Sequence, residues 1–130
     1  MAGYRTPLGR VRGLGSAKHG VGHFIGQRVS AVAMILLILW GVYAALGLAQ
    51  ADYASARGWL ASPWHALPMA FLLSVGLYHG QLGMRVVIED YIHKPSTKTI
   101  LLILSLFACW LGAAVGDFSI LKVAFGGGAL

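Results

Sequence analysis

With 130 residues, 58% of them hydrophobic and only 11% charged, the chain has room for one domain but carries too much apolar surface for a soluble one. A formal net charge of +6 would suit a nucleic-acid binder, yet the Lys and Arg residues cluster beside long apolar runs, which makes them a topology signal and argues against nucleic acid as a partner. The one cysteine, Cys109, falls inside an apolar run, so no disulfide forms within the chain and the thiol reads as packing.

Residues 1–28 make a basic amino-terminal arm holding Arg5, Arg10, Arg12, Lys18 and Arg28 and no acid. Such a start imitates a targeting peptide. The apolar run behind it is too long for a signal-peptide core and lacks a small-residue cleavage site at its near end, which predicts retention as a spanning helix; a mitochondrial transit peptide is the other reading. Three stretches then lack Asp, Glu, Lys and Arg: between Arg28 and Asp52, between Arg57 and Arg85, and between Lys98 and Asp117. About 20 residues cross a hydrocarbon core of roughly 30 Å. The expectation is an all-α membrane protein with a single membrane domain, residues 29–130, and spans over about 29–49, 63–88 and 99–119.

Between the first two spans, residues 51–62 read as a short, nearly neutral loop. Pro63 suits a first helical turn, Trp59 and Trp64 are placed as interfacial anchors, and Pro68 is positioned to bend the helix near its start. Lys94-Pro95-Ser96 reads as the turn before the third span, because Pro95 disfavours a helical conformation at Lys94. The arm and the 85–98 segment hold eight of the ten Lys and Arg residues, which by the positive-inside tendency puts the amino terminus in the cytoplasm and the carboxyl terminus outside.

The informative stretch is His79-Gly-Gln-Leu-Gly-Met-Arg-Val-Val-Ile-Glu-Asp90-Tyr91. On a helix His79, Gly83, Val86 and Asp90 share one face, and Asp90 and Tyr91 lie about 16 to 18 Å from His79 along the axis. An ionisable group inside a span is costly and by default functional. A neutral imidazole can ligate haem iron, and Gly76, Gly80 and Gly83 would let a flat macrocycle or another helix approach. A packing histidine bonded to a neighbouring helix remains open on the residue alone. His65 lies about 21 Å away along the helix and cannot share an iron with His79, so a second histidine ligand must come from another chain. Arg28 can bind a carboxylate such as a haem propionate, or merely snorkel. Tyr91 can hydrogen-bond a quinone carbonyl with Asp90 beside it, or both can be ordinary interfacial residues.

The spacing from His79 through Gly83 to Asp90-Tyr91 resembles the signature of the small membrane-anchor subunit of succinate dehydrogenase, the succinate:quinone oxidoreductase of respiratory complex II. His23-Phe-Ile-Gly-Gln-Arg28-Val-Ser-Ala also resembles the arm leading into that family's first helix. The resemblance implies three transmembrane helices forming half of a haem-binding bundle, completed by a partner cytochrome b subunit. It implies His79 as an axial ligand of haem b, Tyr91 and Asp90 at the ubiquinone site, and Arg28 near the haem propionates; His19, His23 and Ser30 lie in the matching arm without a role. A flavoprotein and an iron-sulfur subunit are the further partners implied. The setting implied is a bacterial inner membrane, and no activity is expected of the isolated chain. A quinol:fumarate reductase anchor and a haem-free structural anchor are the alternatives; transport is disfavoured because the spans are clean.

Overall fold

The computed structural model describes Tyr4, residues 6–13 and residues 20–126; Arg5, Lys18, His19 and the end of the glycine tail lie outside the described residues. Among the described residues five helices follow one another: α1 (Pro7–Val11), α2 (Gly20–Leu48), α3 (Tyr53–Leu60), α4 (Pro63–Tyr91) and α5 (Pro95–Phe125). Three of them, α2, α4 and α5, are long and apolar enough to cross a membrane. At 29, 29 and 31 residues they reach about 43 to 47 Å, well beyond a hydrocarbon core, so each projects into the interfacial layers.

The helix boundaries follow from local chemistry. Thr6 Oγ1 accepts from Gly9 N at 3.1 Å and Pro7 opens α1. Residues 51–62, expected as a loop, instead contain α3: the Asp52 carboxylate accepts from Ser55 N at 3.0 Å and nucleates the helix. Hydrogen bonding from Ser55, side chain first and then backbone, holds the Asp52 carboxyl below its ordinary range. Pro63 opens α4 as expected, and the helix continues through Pro68. The turn before the third long helix is shorter than expected, because Pro95 begins α5 instead of sitting in the turn; its missing N–H falls where no intrahelical bond would form. Lys98 Nζ donates to the Glu89 carbonyl at 2.7 Å, placing a cation among the free carbonyls that end α4.

Helix α4 is the centre of the assembly, with α2 and α5 both packed on it. Its consecutive residues Leu72 and Leu73 point to opposite neighbours, Leu72 against Gly41 of α2 and Leu73 against Gly116 of α5. A glycine at each place lets a leucine occupy the space a Cβ would fill, which is how small residues bring membrane helices close. Ala44, Ala66, Leu82, Ile88 and Ile120 are buried, but among the described residues no side chain is fully enclosed. Rows of Val, Ile, Leu and Phe on α2 and α5 face outward. Only lipid or other apolar helices can cover so much grease.

At the end where α2 finishes, Trp40 stacks on Trp59 of α3 (6.0 Å between centroids), and Trp59 stacks on His65 (4.1 Å). His65 Nδ1 meets the Trp59 carbonyl at 2.9 Å. His65 is therefore part of an aromatic clasp that seats α3 against the bundle.

A histidine inside the helical bundle

Helix α4 is unbroken from His79 to Tyr91, so the face-sharing expected of His79, Gly83 and Asp90 is realised in the backbone. Its neighbours differ along the way. His79 packs toward α2: its Nδ1 lies 2.9 Å from Ser30 Oγ, and its Nε2 lies 3.5 Å from Gln27 Nε2. Ser30 is only 5% exposed, and its hydroxyl also donates to the Gln27 carbonyl at 3.1 Å. Gly83 faces Gln27 and Gly76 faces Met34, whereas a Cβ built at Gly80 meets nothing within 4 Å. Two of the three glycines thus serve helix packing, and the third borders open space beside the histidine.

Two further buried polar atoms belong to this stripe. His23 Nε2 and Gln27 Oε1 have no hydrogen-bond partner. His23, Gln27 and Ser30 recur at i, i+4 and i+7, one face of α2 turned toward α4. Buried polar atoms normally find partners, and unmatched ones mark a place for something else. The spacing is visible in the sequence, but an amide such as Gln27 has no distinctive motif of its own.

Arg28 is one residue along from Gln27 and turns away from α2's contact with α4; it is exposed, and its guanidinium lies over the Phe24 ring at 5.3 Å. Helix α2 begins at Gly20, so Arg28 sits two turns inside it. The antiparallel contacts Gly26 to Leu82, Ser30 to His79 and Gly76 to Met34 place Arg28 level with about residue 82, only a few ångströms from His79 along the axis toward Tyr91. Asp90 and Tyr91 close α4, and Tyr91 is 75% exposed. The acid engaged in this turn is Glu89, paired with Arg85 at 2.8 Å. Asp90 is exposed beside it.

The other polar feature lies on the opposite contact of α4. Ser74 Oγ donates to Asp117 Oδ2 at 2.5 Å, and Oδ1 of the same carboxylate is buried without a partner. Asp117, the residue that ended the third uncharged run, is thus held against α4. Both residues line an open groove of about 710 Å³ between α4 and α5, whose walls include Phe71, Tyr78, Gln81, Cys109 and Trp110. Among the described residues no three His, Cys, Asp or Glu side chains converge on a point that could hold a metal ion.

The architecture is that of a multi-span helical membrane subunit, with a histidine in the interior of its central helix and large apolar faces left for lipid and companion helices. Residues 2–115 match the family of succinate dehydrogenase/fumarate reductase transmembrane subunits, and the chain belongs to that family. It is 33% identical to the succinate dehydrogenase hydrophobic membrane anchor subunit of Rickettsia bellii (strain RML369-C) over 120 residues, covering 92% of this chain and 88% of that one. It is 32% identical to the subunit of the same name from Paracoccus denitrificans over 126 residues, 95% of each chain. The corresponding Rickettsia conorii (strain ATCC VR-613 / Malish 7) subunit is 35% identical over 106 residues, 80% of this chain and 84% of that one.

Proposed function

We propose that the chain is the hydrophobic anchor of a succinate:ubiquinone oxidoreductase in a bacterial inner membrane. It shares a haem b with a cytochrome b partner subunit, helps form the ubiquinone site, and fastens the flavoprotein and iron-sulfur subunits to the cytoplasmic face. The observation that carries this reading is the unbroken α4, which holds His79 within the bundle and delivers Asp90 and Tyr91 to its end. Distribution of Lys and Arg supports an amino terminus and a Tyr91 end on the cytoplasmic side.

The donor set fits a haem. His79 supplies a ring nitrogen whose nearest polar neighbour is an amide at 3.5 Å, Gly80 borders open space, and buried polar atoms of His23 and Gln27 stand unmatched nearby. His79 would hold the iron, and the Arg28 guanidinium, level with the next turn of α4, would meet a propionate. When bound, the haem supplies one-electron redox chemistry. The chain's own contribution is placement and electrostatics. Tyr91 donates its phenolic proton to a quinone carbonyl, and Asp90 beside it provides a carboxylate that can accept or pass on a proton. Arg85 is held in an ion pair with Glu89 beside this end of α4.

A reduced-minus-oxidised optical spectrum of the purified membrane complex tests the reading, with the co-purifying subunits identified. A b-type haem signal abolished or shifted by His79→Ala, with flavin and iron-sulfur partners present, is the expected result. An unchanged spectrum, or a native complex without haem, returns His79 to helix packing.

A further inference from the structure

We infer that Ser30 is a positioning residue for His79: it accepts a hydrogen bond from Nδ1–H, fixes the imidazole tautomer and thereby presents the Nε2 lone pair as the donor atom. The inference rests on reading His79 as a ligand and goes beyond it, since the role belongs to a residue on a different helix.

A serine hydroxyl carries one hydrogen, and Ser30 Oγ is within bonding distance of two groups, the Gln27 carbonyl at 3.1 Å and His79 Nδ1 at 2.9 Å. Ser30 donates to the Gln27 carbonyl. With its proton so placed, the oxygen presents a lone pair to Nδ1, and the 2.9 Å contact is a hydrogen bond when Nδ1 carries the ring proton. A neutral imidazole has a single N–H, and with that proton on Nδ1 the Nε2 atom is a free lone pair. The Gln27 side-chain amide lies 3.5 Å from Nε2, at the outer limit of a hydrogen bond. At that distance Gln27 engages Nε2 only weakly.

Serine bonding back to a carbonyl three residues earlier is ordinary helix chemistry and by itself signals nothing. What distinguishes Ser30 is that it is buried, at 5% exposure, with its remaining lone pair spent on a ring from another helix. A hydrogen bond from the distal ring N–H makes an imidazole a stronger donor and locks its plane; loss of such a contact costs about 10- to 100-fold in metal affinity. Stronger donation favours the oxidised iron. Removing the acceptor should raise the haem midpoint potential and loosen haem binding.

The decisive comparison is Ser30→Thr against Ser30→Val in the assembled complex, read by potentiometric titration of the haem and by electron paramagnetic resonance of its oxidised form. These two side chains have nearly the same volume and differ in the hydroxyl, so a packing effect moves both alike. Expected are a near-native potential and resonance in Ser30→Thr, and an upward potential shift with altered resonance in Ser30→Val. Ser30→Ala, which adds no bulk, should behave like Ser30→Val and reports on the same point if the larger residue impairs assembly. Equal behaviour of Thr and Val, or a native potential in both Val and Ala, overturns the role of Ser30 while His79→Ala still abolishes the haem signal. Absence of haem from the native complex, or its persistence in His79→Ala, overturns the ligand reading itself and this inference with it.

Discussion

Replacing Ser74 with alanine removes the hydrogen bond joining the middle of α4 to Asp117 in the last third of α5. The carboxylate is then left with neither oxygen paired, since Oδ1 already lacks a partner. Hydrogen bonds between membrane helices contribute about 0.6 kcal/mol on average and up to about 1.7. Stranding a buried acceptor costs about 1–3 kcal/mol. Asp117 is half-buried, so the low end applies, and Ser74→Ala should destabilise the chain by about 1–2 kcal/mol, a factor of roughly 5 to 30 in the folded ratio. In the Ser74→Ala/Asp117→Ala double variant no acceptor is stranded. The double should therefore cost less than the sum of the singles, with a coupling of about 0.6 kcal/mol or more. Steric trapping in lipid bicelles gives the unfolding free energy for all four members of the cycle. A coupling within about 0.3 kcal/mol of zero, the ordinary scatter for independent sites, would refute the view that this bond joins α4 to α5.

Tyr91→Phe should lower quinone reduction by the complex and leave succinate oxidation with an artificial acceptor intact; equal quinone activity removes the phenol from the site, and loss of both activities points to failed assembly. Gly116→Leu should cost about 1–3 kcal/mol in the bicelle assay, because a side chain there overlaps Leu73 and must push α5 from α4; an unchanged stability would show that the two helices do not need that close approach. For Asp52, the folded pKa lies below its unfolded value, so its cap supports α3 fully above the unfolded pKa and the support is lost as pH falls through the lower folded pKa. Hydrogen exchange at the α3 amides should accordingly show protection in native protein at neutral pH and loss of it in Asp52→Ala; equal protection in both would deny the cap its role.

The spans were legible because lipid imposes a simple rule. A stretch that must satisfy its backbone internally and expose only apolar side chains announces itself as a long run without charge, and α2, α4 and α5 contain those runs. Helix ends were harder to read. The nine residues from Gly20 to Arg28 are polar enough to look like an arm yet continue α2, since helical hydrogen bonds persist into the interface where the apolar pattern stops. Asp52 beside Ser55 was a readable cap, overlooked because α3 has only eight residues and no strong apolar periodicity.

His79, Arg28, Asp90 and Tyr91 were legible as chemistry and as a family resemblance, because residue type and spacing along one helix are local facts. Their surroundings belong to the fold. Which ring nitrogen of His79 meets Ser30, 49 residues away, depends on the antiparallel register of α2 and α4, and that register is set by many weak contacts such as Gly41 against Leu72. The same holds for Asp117, whose place in the chain suggested the end of an apolar run and whose partner, Ser74, lies 43 residues earlier. By itself the sequence determined that this chain crosses a membrane and where its reactive groups fall along each helix, since burial in lipid and helical rise act on neighbours in the chain. Only tertiary structure decided which of those groups meet, because a hydrogen bond between helices depends on packing summed over the whole contact.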